Sequence, residues 1–206
     1  MSRILAIGDI HGSLEKLQLL MATIDWDPAE DTLLFIGDYV DRGPDSAGVI
    51  DHILGLMEWS DNIICLRGNH EQLFLDFLEG RNVDTFIHNG GYHTIQSYGG
   101  EDAGIPEDHY AFLDSLPLYW ETEDYIFVHA GLRDGLALRD QDPRDLLWIR
   151  EEFIRSDYDH GKRVVYGHTP TREPLVMANK IGIDTGAVYG GRLTCLEIPR
   201  LVFHSV

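Results

Sequence analysis

The chain has 206 residues, 44% of them hydrophobic, which suits a single compact domain with one sizeable core. A formal charge of -19, from 35 acidic residues against 16 Lys and Arg, argues against a general nucleic-acid binder or an anionic membrane surface as partner. Both need clustered cations to meet phosphate, so the excess acid serves mainly solubility, and cations are the better-matched partners.

Cys65 and Cys195 lie in separate strand-like runs, so neither a disulfide framework nor a paired-thiol zinc site is indicated. The opening run Ile4 to Ile7 is too short for a signal segment, and nothing approaches the roughly 18 apolar residues of a membrane span. A soluble protein of the reducing cytoplasm is expected.

In chain order, Ile4 to Ile7 reads as a strand, and Leu14, Leu17, Leu20, Met21 and Ile24 then have the spacing of an amphipathic helix with Ser13 near its start. A strand over Thr32 to Ile36 and a helix beginning near Pro44, carrying Val49, Ile50, Ile53, Leu54 and Met57, follow. Asn62 to Leu66 is the next strand. This β-α-β-α-β rhythm implies parallel strands with helical crossovers.

Further on, helices are expected over Glu71 to Leu78, Pro106 to Leu116 and Asp145 to Glu152. Strands are expected at Tyr125 to Val128, Arg163 to Tyr166, Leu175 to Ala178, Lys180 to Asp184, Leu193 to Ile198 and Leu201 to His204. Residues 81–105 fit neither periodicity and contain Asn89-Gly90-Gly91, which suggests either a cap beside a site or an ordinary surface excursion. The whole reads as one domain over 1–206, an α/β fold with a two-sheet αββα sandwich.

Five strand-like runs end in polar loops: Gly8-Asp9-Ile10-His11, Gly37-Asp38 to Gly43, Gly68-Asn69-His70-Glu71, His129-Ala130-Gly131 and Gly167-His168-Thr169. Turn chemistry accounts for Asp, Asn and Gly, but not for a His at four of the five ends. Catalytic sites in α/β folds collect at the carboxyl ends of strands, where all five loops could converge. Carboxylate, imidazole and amide groups without thiolates suit Mn²⁺, Fe or Zn²⁺ in a hydrolytic site.

At these motifs the sequence resembles the metal-dependent phosphoprotein phosphatases within the calcineurin-like metallophosphoesterases, from Asp9 to about Thr194. It is most similar to the small bacterial and phage members of lambda type, which share the look of Asn89-Gly90-Gly91, Trp148-Ile149-Arg150-Glu151 and Ile183-Asp184-Thr185-Gly186-Ala187-Val188. The resemblance implies two divalent ions, with Mn²⁺ the first choice. Asp9 and His11 would bind the first, Asp38 would bridge, and Asn69, His129 and His168 would complete the second. Arg42 and Arg150 would clamp phosphate, with Asn69 beside them; for Arg150 a surface ion pair is the plain alternative.

The resemblance also makes His70 a general acid oriented by Asp41, rather than a ligand. The implied reaction is direct attack by a metal-bridging hydroxide on a phosphomonoester, with His70 protonating the leaving oxygen. The implied substrates are phosphoserine and phosphothreonine proteins or peptides, with no nucleic-acid or membrane partner and the oligomeric state left open. The alternative is a bis(5'-nucleosyl)-tetraphosphatase of the same superfamily; that branch usually lacks the Asp41 carboxylate and ends the third motif in Asp, so Asp41 and Glu71 favour the protein phosphatases. A non-catalytic metal scaffold would be expected to have lost ligands, His70 or Arg42, and none is lost. His52, His88, His93, His109, His160 and His204 lie outside the motifs and are read as bystanders.

Overall fold

The computed structural model describes residues 3–100 and 102–206. The first half runs β1 (Ile4–Ile7), α1 (Leu14–Thr23), β2 (Thr32–Phe35), α2 (Ser46–Met57), β3 (Ile63–Cys65), α3 (Asn69–Leu78), α4 (Val83–Phe86), α5 (Tyr92–Ser97) and α6 (Glu107–Ser115). The second runs β4 (Tyr119–Glu121), β5 (Tyr125–Val128), α7 (Pro143–Trp148), α8 (Glu151–Ile154), β6 (Arg163–Tyr166), β7 (Leu175–Val176), β8 (Lys180–Gly182), β9 (Thr194–Ile198) and β10 (Val202–Ser205).

Two five-stranded sheets form, in the orders β10-β9-β1-β2-β3 and β4-β5-β6-β8-β7. β1, β2 and β3 are parallel, as the helical crossovers require, and so are β5, β6 and β8. The antiparallel partners β9, β10, β4 and β7 lie at or toward the sheet edges.

Strand alternation builds the layers. Ala6, Leu34 and Ile36 of one sheet meet Phe127, Val165 and Ile181 of the other in a buried seam. Their neighbours Leu5, Ile7, Leu33 and Phe35 point the opposite way, onto Leu17, Leu20, Val49 and Ile53 of α1 and α2. On the far side, Ile126, Val128, Val164 and Tyr166 pack on Leu146 and Phe153 of α7 and α8. Central strands such as β1, β2 and β5 are apolar on both faces because each sheet is covered on both, and the result is the αββα sandwich.

Three local departures from the sequence reading have simple causes. The expected helix over Asp145 to Glu152 is broken into α7 and α8, because Ile149 is extended and Arg150 takes φ -130°, ψ -103°. Residues 81–105 are largely helical: α4 and α5 flank a wide turn over Ile87–Gly91, interrupted where Gly90 has φ 99°. Helices this short carry too few turns to show a period. The brief strand β4 was not read from the sequence, since Tyr119, Trp120 and Glu121 show no alternation.

Candidate active site

The five polar loops meet at the carboxyl ends of β1, β2, β3, β5 and β6, where Asp9, His11, Asp38, Asp41, Asn69, His70, His129 and His168 are all buried. Backbone bonds stitch the loops together: Ile10 and His11 donate N–H to the Asp38 carbonyl, and Gly167 donates to the His129 carbonyl. α3 starts at the site, so the His70 N–H at its first turn donates to Asp38 Oδ1 at 3.1 Å. Gly68 must be glycine there, because a Cβ would sit 2.2 Å from Asp38 Oδ1 and 2.4 Å from the Asp38 nitrogen.

His11, Asp38, Asp41, Arg42 and His168 all adopt left-handed φ between 48° and 72°. Non-glycine residues pay a conformational penalty there, and the packing around the loops must hold them. Glu71 is part of that hold. Its two oxygens accept from the backbone N–H groups of Asp38, Tyr39, Val40 and Gly68 at 2.8 to 3.3 Å. Burial and the neighbouring Asp38 push its carboxyl up to about 7, against the bonds from the Asp38 and Gly68 amides.

Asp38 is the hub. His11 Nε2 lies 3.4 Å from its Oδ2 and His129 Nε2 lies 3.3 Å from its Oδ1. Burial disfavours its charge, but His129, His70, His11 and His168 outweigh burial and hold the carboxyl well below the usual range. Burial pushes His11 down to about 3 and His168 down to about 2, and lowers His129 as well.

The tautomers are set from behind. His11 Nδ1 donates to the Val40 carbonyl at 2.8 Å and His129 Nδ1 donates to the Ile36 carbonyl at 3.1 Å. Each leaves an Nε2 lone pair facing the site. Arg42 Nη1 lies 2.5 Å from His11 Nε2. Asn69 Oδ1 lies 3.0 Å from His129 Nε2, so two acceptors face each other, an arrangement that a cation satisfies and a hydrogen bond does not.

Two groups, His11-Asp38-His70 and Asp38-His129-His168, bring ligand atoms within 4.8 Å of one another and share Asp38. Asp9 Oδ1 and His168 Nε2 are buried with no hydrogen-bond partner among the described residues, which is costly unless a ligand satisfies them. Oxygen and nitrogen donors around a shared carboxylate fit a dinuclear divalent-metal site. Asp9 itself falls outside both groups; its Oδ2 accepts from the His168 N–H at 2.9 Å.

His70 is turned differently. Its Nδ1 lies 2.6 Å from Asp41 Oδ2 and its Nε2 lies 4.0 Å from Asp38 Oδ2. Burial opposes the imidazolium, but Asp38 and the bond to Asp41 outweigh it and raise the His70 pKa. Arg150 stands exposed at the residue before α8, without a side-chain capping bond, and among the described residues it makes no ion pair.

Sequence reading gave no role to Asp184, Thr94 or Tyr189. Asp184 follows β8 and is buried, and burial pushes its carboxyl up to about 6 while the Gly186 N–H opposes that shift. Tyr189 is 62% exposed, with the Arg42 guanidinium 5.6 Å from its ring centroid. A polar stretch such as Asp184-Thr185-Gly186 resembled a motif, but only its position after a parallel strand could have marked it.

The family model described as calcineurin-like phosphoesterase matches residues 2–199. The chain belongs to this family. It is similar to the bis(5'-nucleosyl)-tetraphosphatase PrpE of Anoxybacillus flavithermus, 31% identical over 228 residues covering 97% of this chain and 92% of that one. It is equally similar to serine/threonine-protein phosphatase 1 of Salmonella typhimurium, 32% identical over 200 residues covering 93% of this chain and 90% of that one. Among solved structures, a Saccharomyces cerevisiae serine/threonine phosphatase aligns with TM-score 0.67 at 19% identity, covering 99% of this chain and 79% of that one, which supports the fold. The chain is therefore a metallophosphoesterase, and identity alone does not separate protein from nucleotide substrates.

Proposed function

We propose that this metallophosphoesterase is a serine/threonine protein phosphatase that hydrolyses phosphomonoesters directly. The observation that carries the reading is the buried His70-Asp41 pair. A serine or threonine alkoxide is a poor leaving group and needs a proton as the P–O bond breaks, whereas a departing nucleotide phosphate needs far less help. With Nδ1 bound to Asp41, His70 keeps Nε2 toward the site as the proton donor.

In this reading Asp9, His11, Asp38, Asn69, His129 and His168 hold two divalent ions, and Mn²⁺ suits the donor set. Bound there, the ions polarise the phosphoryl group and lower the pKa of a water. Arg42 and Arg150 hold the phosphoryl oxygens, as planar guanidinium groups do well. Arg42 would have to leave His11 Nε2, which it contacts here.

A second reading, a dinucleoside tetraphosphatase, is favoured by Tyr189. Its exposed ring stands beside Arg42 at a cavity of about 490 Å³ that His88, Asn89 and His93 also line, and such a ring could stack on a base. Glu71 no longer weighs between the readings as directly as its motif suggested, because both its oxygens are engaged by backbone. Mn²⁺-loaded protein should be given a phosphothreonine peptide and diadenosine tetraphosphate side by side. Efficient peptide hydrolysis, insensitive to Tyr189→Ala, is expected; cleavage of the dinucleotide alone, lost in Tyr189→Ala, would replace the first reading by the second.

A further inference from the structure

The carboxylate that holds His70 is itself held by a residue from another part of the chain. Asp41 Oδ1 accepts from Thr94 Oγ1 at 2.6 Å, and Asp41 N–H points to Thr94 Oγ1 at 2.8 Å and to Ser46 Oγ at 3.0 Å. Thr94 Oγ1 and Ser46 Oγ are 3.0 Å apart. All three residues are fully buried.

Proton counting fixes the direction of each bond. An ionised Asp41 is acceptor-only, so the single Thr94 hydroxyl proton goes to Oδ1, and the Ser46 hydroxyl must donate to Thr94. Thr94 Oγ1 then uses its whole capacity: one bond to the Asp41 carboxylate, one from the Asp41 backbone and one from Ser46. The hydroxyl clamps the side chain of Asp41 to its own backbone, which has the left-handed φ of 72°. Burial raises the Asp41 pKa, and the bonds from His70 and Thr94 oppose that rise.

Thr94 lies on α5, within residues 81–105. That helix is fixed independently of the site: Ser97 Oγ accepts from the Ala47 N–H at 2.9 Å, and Tyr98 Oη reaches His109 Nδ1 at 2.8 Å, whose Nε2 meets Asp51 at 3.0 Å. The same segment receives the Arg42 N–H on the Gly90 carbonyl at 3.1 Å.

We infer that Thr94 is a positioning residue for the general acid, acting through Asp41 on His70, and that α5 is the brace that sets it. This deepens the proposed reaction and rests on His70 being its acid. Loss of the hydroxyl frees the Asp41 carboxylate to rotate away from Nδ1, so the imidazole no longer keeps its aim at the leaving oxygen.

The test compares Thr94→Val, Thr94→Ser and His70→Asn on phenyl phosphate and on 4-nitrophenyl phosphate, whose leaving group barely needs a proton. Thr94→Val should lose about tenfold in kcat on phenyl phosphate and under about twofold on 4-nitrophenyl phosphate, with metal content unchanged. Thr94→Ser should restore both rates to within about twofold of the parent, since the hydroxyl is retained. Equal losses on the two esters in Thr94→Val, no loss on either, or a Thr94→Ser variant as slow as Thr94→Val would overturn the positioning role while His70→Asn remains leaving-group selective. A His70→Asn variant blind to the leaving group would overturn the acid assignment and this inference with it.

Discussion

Asn69 and His70 are adjacent in the chain yet serve opposite sides of the site: Asn69 Oδ1 lies 3.0 Å from His129 Nε2, and His70 Nδ1 lies 2.6 Å from Asp41 Oδ2. Both open α3, where successive side chains diverge by about 100°, so neighbours cannot share a target. His70→Asn should therefore keep its metals while losing about 10²-fold in turnover on alkyl phosphates, with much smaller losses on activated esters. Metal analysis beside the kinetics checks this, and loss of an ion would reassign His70 as a ligand in the His11-Asp38-His70 group.

His168→Ala removes a ring whose Nε2 has no hydrogen-bond partner among the described residues. The metal-free variant should melt close to the parent, while the rise in Tm on adding Mn²⁺ shrinks and metal affinity falls at least about tenfold. An unchanged Mn²⁺-induced shift in scanning calorimetry would remove His168 from the ligand set.

Glu71→Gln replaces one carboxyl oxygen by an amide nitrogen that presents N–H to N–H. With four backbone donors converging on it, the expected loss is about 2–3 kcal/mol and a Tm lower by roughly 5–10 °C. Activity should fall through displacement of Asp38, but the ratio of peptide to dinucleotide hydrolysis should stay fixed. A changed ratio would restore to Glu71 the selective role that its motif suggested.

Gly90→Ala places a Cβ 2.7 Å from Arg42 Cγ at a residue with φ 99°. Either the turn or the arginine must move. KM for phosphate esters should rise about three- to tenfold with kcat less affected, which initial-rate kinetics would show.

Asp31, far from the site, accepts from Arg3 Nε at 3.0 Å and from the Asp27 N–H at 2.9 Å. The Arg3 hydrogen bond holds its carboxyl below the usual range. A depressed folded pKa gives stability that is present above the unfolded value and disappears as pH falls through the folded one. Asp31→Asn should cost about 1–2 kcal/mol at pH 7, and the gap to the parent should close below about pH 4. Denaturant midpoints across pH 2 to 8 would reveal it; a constant gap would mean that the carboxylate's charge is not what the parent loses in acid.

The sequence by itself determined the chemistry available and its place along the chain. Apolar runs each ending in Asp, Asn or His could only put polar ligands at strand ends, because strand and loop are read from local composition, and the parallel order of β1, β2 and β3 followed from the helices between them. Boundaries within short helices escaped, since α4, α5, α7 and α8 have six residues or fewer and no period to read. Only the tertiary structure decided which groups outside the motif pairings face one another. Thr94 is 53 residues from Asp41, and Glu71 reaches back 33 residues to the Asp38 amide; neither pairing leaves a local trace. Hydrogen-bond partners are chosen by where the packed sandwich brings donors and acceptors together in a buried, weakly screened space, and that placement is a property of the whole fold.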